Sequence, residues 1–250
     1  MINALKQNKP LMLVIVSYFL GFGRQMAMGI QVQAANALLG SQNLVAVLGI
    51  VTAIGSMISM AICPVLIKKM GEKKVYLLMS FYGFAVSILS FVVGYFWFRN
   101  PENMVLTVLF YAFLFLIGLQ FGAVTLMPMI MTADCVDYYE YETGKRMEGA
   151  AYSILTLTIK VCLALGTALG LVFVQFSGYS EAVSQITAGT ISGFDVHTKD
   201  VIFFAYTAVP GILALLSTIP MFKYDIVGEK KAKIASELSA RRAAKGESAE

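Results

Sequence analysis

The chain is 250 residues long, 58% hydrophobic and only 14% charged, with a mean hydropathy of +0.74. About a quarter of the residues of a water-soluble domain are charged, so these values exclude a soluble globular fold and place the chain in a lipid bilayer. The net charge of +4 follows from topology and does not point to nucleic-acid binding.

Crossing a hydrocarbon core of about 30 Å takes about 20 mostly apolar residues in a helix. Six such windows occur, in order Pro10 to Leu39, Leu44 to Ile67, Val75 to Phe98, Met104 to Ala133, Gly149 to Gly178 and Val201 to Phe222. Their apolar runs are continuous and do not alternate, which predicts helices and excludes barrel strands. The first window is too long for the apolar part of a signal peptide and is followed by no small-residue cleavage site, so it is expected to remain in the mature protein. The division is a transmembrane bundle over residues 1–227 and a basic tail over 228–250, the latter expected as a loose surface helix that is solvated or touches anionic lipid.

The connections Ser41 to Asn43 and Arg99 to Asn103 are short, so neighbouring helices are expected to pack as antiparallel pairs. Trp97, with Tyr95, Phe96 and Phe98, is expected at one membrane interface, and Tyr138, Tyr139 and Tyr141 at the other. Gly118 with Gly122, and Gly166 with Gly170, have the four-residue spacing that lets helices approach closely. Pro64, Pro128 and Pro210 are candidate kinks, Pro128 the best placed for a hinge. Cys63, Cys135 and Cys162 lack metal spacing and are expected as free thiols, and His197 as a solvated loop residue.

Even-numbered spans place both termini on one side, and the basic residues choose it. Lys6, Lys9, Lys68, Lys69, Lys73, Lys74, Lys145, Arg146, Lys223, Lys230, Lys231, Lys233, Arg241, Arg242 and Lys245 fall on that side, and only Arg99 and Lys199 on the other. By the positive-inside rule the termini are cytoplasmic. Asp134, Asp137, Glu140, Glu142, Lys145, Arg146 and Glu148 then form a cytoplasmic loop turning at Gly144. If the fourth helix extends past the membrane, its acids share a face. Lys68, Lys69, Lys73 and Lys74 are available as partners, so the two loops are expected to form a breakable latch.

Two cations lie inside the spans. Lys160 sits about 11 residues into the fifth helix, about 16 Å deep, where a charge costs at least about 2.5 kcal/mol to insert. Ser153, Thr156 and Thr167 share its helical face, which should therefore be wet. Arg24 lies in the first span, followed by Gln25 and Gln31. No span interior carries Asp or Glu, so the balancing negative charge comes from another polypeptide or an anionic ligand, unless the lysine is neutral. No nucleophile, base or metal constellation indicates an enzyme.

The run Ala133, Asp134, Val136, Asp137, Tyr138, Glu140, Thr143, Gly144, Arg146, Glu148, Gly149, continuing to Tyr152, Ser153 and Lys160, resembles the signature of the glycoside-pentoside-hexuronide cation symporters. These are the melibiose-carrier type within the major facilitator superfamily. Leu5 to Pro10, the Pro64 to Lys74 loop and Gly178-Tyr179 resemble corresponding parts. The resemblance covers the second six-helix bundle only, helices seven to twelve of twelve, and implies an all-α half of a major-facilitator fold in the inner membrane. It further implies sugar binding between two bundles, with a coupling Na⁺ or H⁺ held largely by first-bundle acids. A lysine and a threonine of helix eleven assist there, and Lys160 and Thr156 stand at those positions. Leu155 replaces the glutamine that many relatives carry.

The expected function is the C-terminal half of a cation-coupled sugar symporter working by alternating access. Its partner is an N-terminal six-helix half, or less favourably a second copy, and no cofactor is expected beyond the coupling cation. The planar fork of Arg24 suits an acidic sugar. The alternative is a truncated, non-transporting remnant or scaffold. The candidate substrate and ion residues are Lys160, Thr156, Ser153, Arg24 and Gln25; the candidate gate comprises Asp134, Asp137, Glu140, Lys145, Arg146 and Glu148.

Overall fold

The computed structural model describes residues 8–100 and 102–247. Leu5, Lys6 and residues 248–250 lie outside the described residues, as does the side chain of Lys245. Among the described residues six helices are long and apolar enough to cross a membrane: Lys9–Gly29, Gln42–Met70, Glu72–Arg99, Met104–Thr143, Glu148–Phe176 and Val196–Met221. The protein is a multi-pass membrane bundle.

The first span is broken. It consists of α1 (Lys9–Leu20), α2 (Gly23–Gly29) and α3 (Gln31–Leu39), with irregular backbone at Gly21, Phe22 and Ile30. In hydrocarbon such breaks are tolerated only where protein or a cavity surrounds them. Here Gly23 provides that surround, because a methyl group added to it would lie 2.4 Å from the Cα of Pro210 in the last span.

The second, third, fourth and fifth spans are single helices, α4 (Val45–Met70), α5 (Glu72–Arg99), α6 (Met104–Thr143) and α7 (Glu148–Phe176). A short helix α8 (Tyr179–Thr187) follows. The last span is composite. It runs through α9 (Val196–Phe203), a wide π-type turn at Phe204–Ala208, α10 (Val209–Leu216) and α11 (Thr218–Met221). The π turn lies just ahead of Pro210, whose ring crowds the preceding turn and whose nitrogen has no hydrogen to donate. Pro128, the expected hinge, lies instead within the unbroken α6.

Packing departs from simple hairpins. The α5–α6 pair is intimate, but α4 lies principally on α6, α2 on α7, and α10 on α5. Small residues set these pairings, as their spacing predicts. A methyl group at Gly118 would lie 2.3 Å from the Thr52 carbonyl oxygen, and one at Gly166 would lie 2.7 Å from the Met26 nitrogen. Backbone contact of that kind replaces the hydrophobic drive that lipid cannot supply between helices. A buried hydroxyl cluster of Ser17, Tyr76 and Ser217 adds polar ties between the first, third and last spans.

Aromatic residues divide between lipid and core. Tyr95 and Phe96 are exposed, as expected for an interface belt, whereas Trp97 is buried, stacked on Phe110 at 4.2 Å and donating to the Thr107 hydroxyl at 3.0 Å. Tyr139 is buried in the bundle too. Cys63, Cys135 and Cys162 are free and buried. His197 is exposed as expected, but on the first turn of α9, because Asp195 caps that helix by accepting from the Thr198 nitrogen at 3.1 Å.

The tail is helical over α12 (Gly228–Glu247), and it is held, not loose. Its Ile234 and Leu238 are 4% and 3% exposed and join the core cluster of Leu11, Val75 and Met131. That cluster fills the Lys/Arg-rich end of the bundle; a second one, around Met26, Leu114 and Phe203, fills the other half.

Candidate functional site

α7 presents Ser153, Thr156 and Lys160 on one open groove of about 400 Å³, bounded also by Gly149, Tyr152 and Leu157. Steps of three and four residues bring these side chains to one face. Lys160 is exposed on the bundle's surface and, among the described residues, has neither an ion pair nor a side-chain hydrogen bond. Thr167, expected on the same face, contributes elsewhere: it fills the space over Gly29, where an added methyl would lie 2.7 Å from its hydroxyl.

Arg24 and Gln25 follow the break between α1 and α2, but they point different ways. Arg24 lines a separate cavity of about 280 Å³ with Gln31, Thr52, Ser56, Phe121 and Tyr206. Its Nη1 donates to the Thr125 hydroxyl at 2.6 Å, and that hydroxyl in turn donates to the Phe121 carbonyl. The guanidinium carbon lies 5.8 Å from the centre of the Phe121 ring, and Nε is buried with no partner among the described residues. Gln25 is buried at the seam with α7, where its Nε2 donates to the Tyr18 hydroxyl at 2.6 Å and its Oε1 has no partner. Among the described residues no carboxylate pairs with Arg24 or Lys160, so the charge imbalance predicted from composition is present in the folded bundle.

At the Lys/Arg-rich end the acids are not on a loop. α6 continues through them to Thr143 and ends at Gly144, whose φ of 69° is the left-handed conformation glycine adopts freely. The shared acidic face is therefore real, but its partners are not those expected. Lys231 of α12 bridges Asp134 at 2.7 Å and Glu72 at 2.6 Å. Arg146 pairs with Asp137, Glu140 and Glu148, and Arg242 with Asp137 and Glu140. Lys73 turns instead to the carbonyls of Phe222 and Tyr224 at 2.9 and 2.7 Å. Lys68, Lys69, Lys74 and Lys145 form no ion pair among the described residues. Proximity explains the difference: α12 lies across the end of α6, and its cations reach the acids first.

The electrostatics follow. Burial pulls the Lys231 ammonium down, but its bonds to Asp134 and Glu72 outweigh that and hold it above the ordinary lysine value. Hydrogen bonds from Arg146 to Glu140 and Glu148 raise its already high value further. The sequence did carry a signal for this docking. Lys231, Ile234, Leu238 and Arg242 are spaced three, four and four apart, a single face of a helix.

A bundle of six apolar spanning helices, without strands among the described residues, has the architecture of half a major-facilitator fold. The chain matches the MFS/sugar transport protein family over residues 1–228 and belongs to it, in the melibiose-carrier type of symporter. It is 33% identical to the inner membrane symporter YicJ of Escherichia coli (strain K12) over 46% of this chain and 23% of that protein. It is 27% identical to a candidate sulfoquinovose importer of the same organism over 96% of this chain and 48% of that protein. It is 26% identical to a glucuronide carrier protein homolog, also of Escherichia coli (strain K12), over 76% of this chain and 37% of that protein. The chain spans about half the length of the relatives it matches end to end.

Proposed function

We propose that this bundle forms the C-terminal half of the path of a cation-coupled symporter for an acidic sugar, working by alternating access against a complementary six-helix bundle. The observation that carries the reading is Lys160, open, unpaired and about midway through a membrane-spanning helix beside Thr156 and Ser153. A charge kept there at such cost belongs to a pathway. The complementary bundle supplies the carboxylates that hold Na⁺ or H⁺, with Lys160 and Thr156 completing that site.

Arg24 is the group for the substrate's negative charge. Arg24 and the Gln31 amide line one cavity, and a guanidinium without a carboxylate partner among the described residues suits an anion. The names of two relatives, a glucuronide carrier homolog and a candidate sulfoquinovose importer, agree with an anionic sugar. Two bundles related by an axis along the membrane normal place such a site at mid-depth. A second copy of this chain is a poor partner, because it would bring further cations and no carboxylate.

In this reading the Lys/Arg-rich end is cytoplasmic and the membrane is the inner one. Asp134, Asp137, Glu140, Arg146 and Glu148 belong to a cytoplasmic gate, with Lys231 and Arg242 as its clasp and Lys145 at its margin.

The test is uptake of a radiolabelled glucuronide by vesicles holding the chain with its complementary bundle, driven by a Na⁺ or H⁺ gradient. Gradient-dependent accumulation is expected, and its loss in Lys160→Ala with insertion unchanged. Uptake that is indifferent to Lys160→Ala overturns the site. Absence of uptake with every acidic and neutral sugar, in vesicles where both bundles are inserted, supports the non-transporting alternative.

A further inference from the structure

Between the first turn of α1 and the chain just past α11 lies a groove of about 470 Å³. Its mouth carries Lys9 and Lys223, both exposed, whose side chains have no ion pair or hydrogen bond among the described residues. Asp225 shares the rim, but its carboxylate is engaged by Lys230. Below the mouth the wall becomes apolar, formed by Met12, Leu13 and Val16. Those residues lie three to seven positions beyond Lys9, about 5–10 Å deeper at the helical rise. Met12 and Val16 are 41% and 43% exposed, so nothing among the described residues covers this wall.

The arrangement has a polarity. It offers two free ammonium groups at the level of the headgroups and a strip of bare hydrocarbon running inward from them. A soluble anion would satisfy only the first part, and a neutral lipid only the second. Lysines at the border also keep their charges in the headgroup layer while their stems lie along the apolar wall. Basic recesses between spanning helices are suited to acidic lipid headgroups.

We propose that this groove is a binding site for an anionic phospholipid, its phosphate between Lys9 and Lys223 and one acyl chain along Met12, Leu13 and Val16. The site is separate from the mid-depth cations and does not depend on the transport reading. It ties the start of the first span to the end of the last through a shared lipid. Lys68 and Lys69, equally basic at the end of α4, line none of the grooves described and serve as the comparison.

The test is native mass spectrometry of the full chain in detergent with equal phosphatidylglycerol and phosphatidylcholine. Phosphatidylglycerol is expected to be retained preferentially. The double substitution Lys9→Gln/Lys223→Gln should lower that retention about tenfold or more, with phosphatidylcholine unchanged. Val16→Trp, which fills the apolar wall and leaves both lysines in place, should lower it too, while Lys68→Gln/Lys69→Gln should not. Equal retention of the two lipids by the unaltered chain overturns the proposal, as does full retention of phosphatidylglycerol by Lys9→Gln/Lys223→Gln. Displacement of phosphatidylglycerol by inorganic phosphate alone overturns it in favour of a simple anion site.

Discussion

The cations at the two depths of this molecule are treated in opposite ways. At the Lys/Arg-rich end Lys231, Arg146 and Arg242 each meet two or more carboxylates. At mid-depth Arg24 has one hydroxyl and an aromatic face, and Lys160 has no side-chain partner among the described residues. Charges are cheap to hold at the water boundary and costly in hydrocarbon, so stability alone would have produced the reverse. The end of the bundle is neutralised by its own chain, whereas the cations of the middle meet no carboxylate among the described residues.

The largest expected effect lies where that contrast is sharpest. In the assembled carrier, Lys160→Ala should lower gradient-driven accumulation about 100-fold or more, a transition-state or coupling loss of about 3 kcal/mol, while thermal unfolding of the isolated chain stays unchanged. An equal fall in folded protein would make Lys160 structural and erase the contrast.

Next comes Lys231→Ala, which leaves Asp134 and Glu72 facing one another, with side chains 12% and 10% exposed. We expect a loss of about 1–2 kcal/mol, below the range for a fully buried pair because the ammonium itself is one third open to water. Limited trypsin digestion should then release the tail faster, and adding Glu72→Gln should restore part of the protection. Arg242→Ala should do less than Lys231→Ala in the same assay, since Arg242 is half exposed and Lys231 still ties the tail to Asp134 and Glu72.

The smallest effect is a pH dependence. The folded-state value of Lys231 is raised, so its contribution is complete below the unfolded lysine value of about 10.4 and is lost as pH rises through the higher folded value. A nitroxide at Ala240→Cys should therefore report an immobile tail at neutral pH and growing mobility above about pH 10. Release between about pH 7 and pH 10 would mean that Lys231 is not the clasp.

Much of the fold was legible because a bilayer leaves few options. Continuous apolar length located all six spans, and the four-residue spacing of Gly118 and Gly122 announced close approach. Span interiors that carry Lys160 and Arg24 but no Asp or Glu mark the unmatched cations in the sequence itself. What could not be read depended on tertiary neighbours. In the run Pro10 to Leu39 the glycines Gly21, Gly23 and Gly29 flank the breaks at Phe22 and Ile30, but glycine is common in membrane helices, and the breaks are fixed by packing on Pro210 of the last span and Thr167 of α7. Trp97 reads as a boundary residue until Phe110 and Thr107 close over it. The lysines of the nearer loop read as partners of Asp134 and Asp137, although the tail carries its own matching stripe of cations and apolar residues.

One dimension of α6 has a mechanical consequence. At 40 residues the helix is about 60 Å long, twice the thickness of the hydrocarbon it crosses. It is pinned near its middle, where Gly118 rests on the backbone of Thr52. Glu140 lies 22 positions beyond that fulcrum, a lever arm of about 33 Å. If the bundle rocks as proposed, tilting the rod by about 10° against a stationary α12 would sweep its acidic tip through about 6 Å, farther than any ion pair stretches, and the clasp would open.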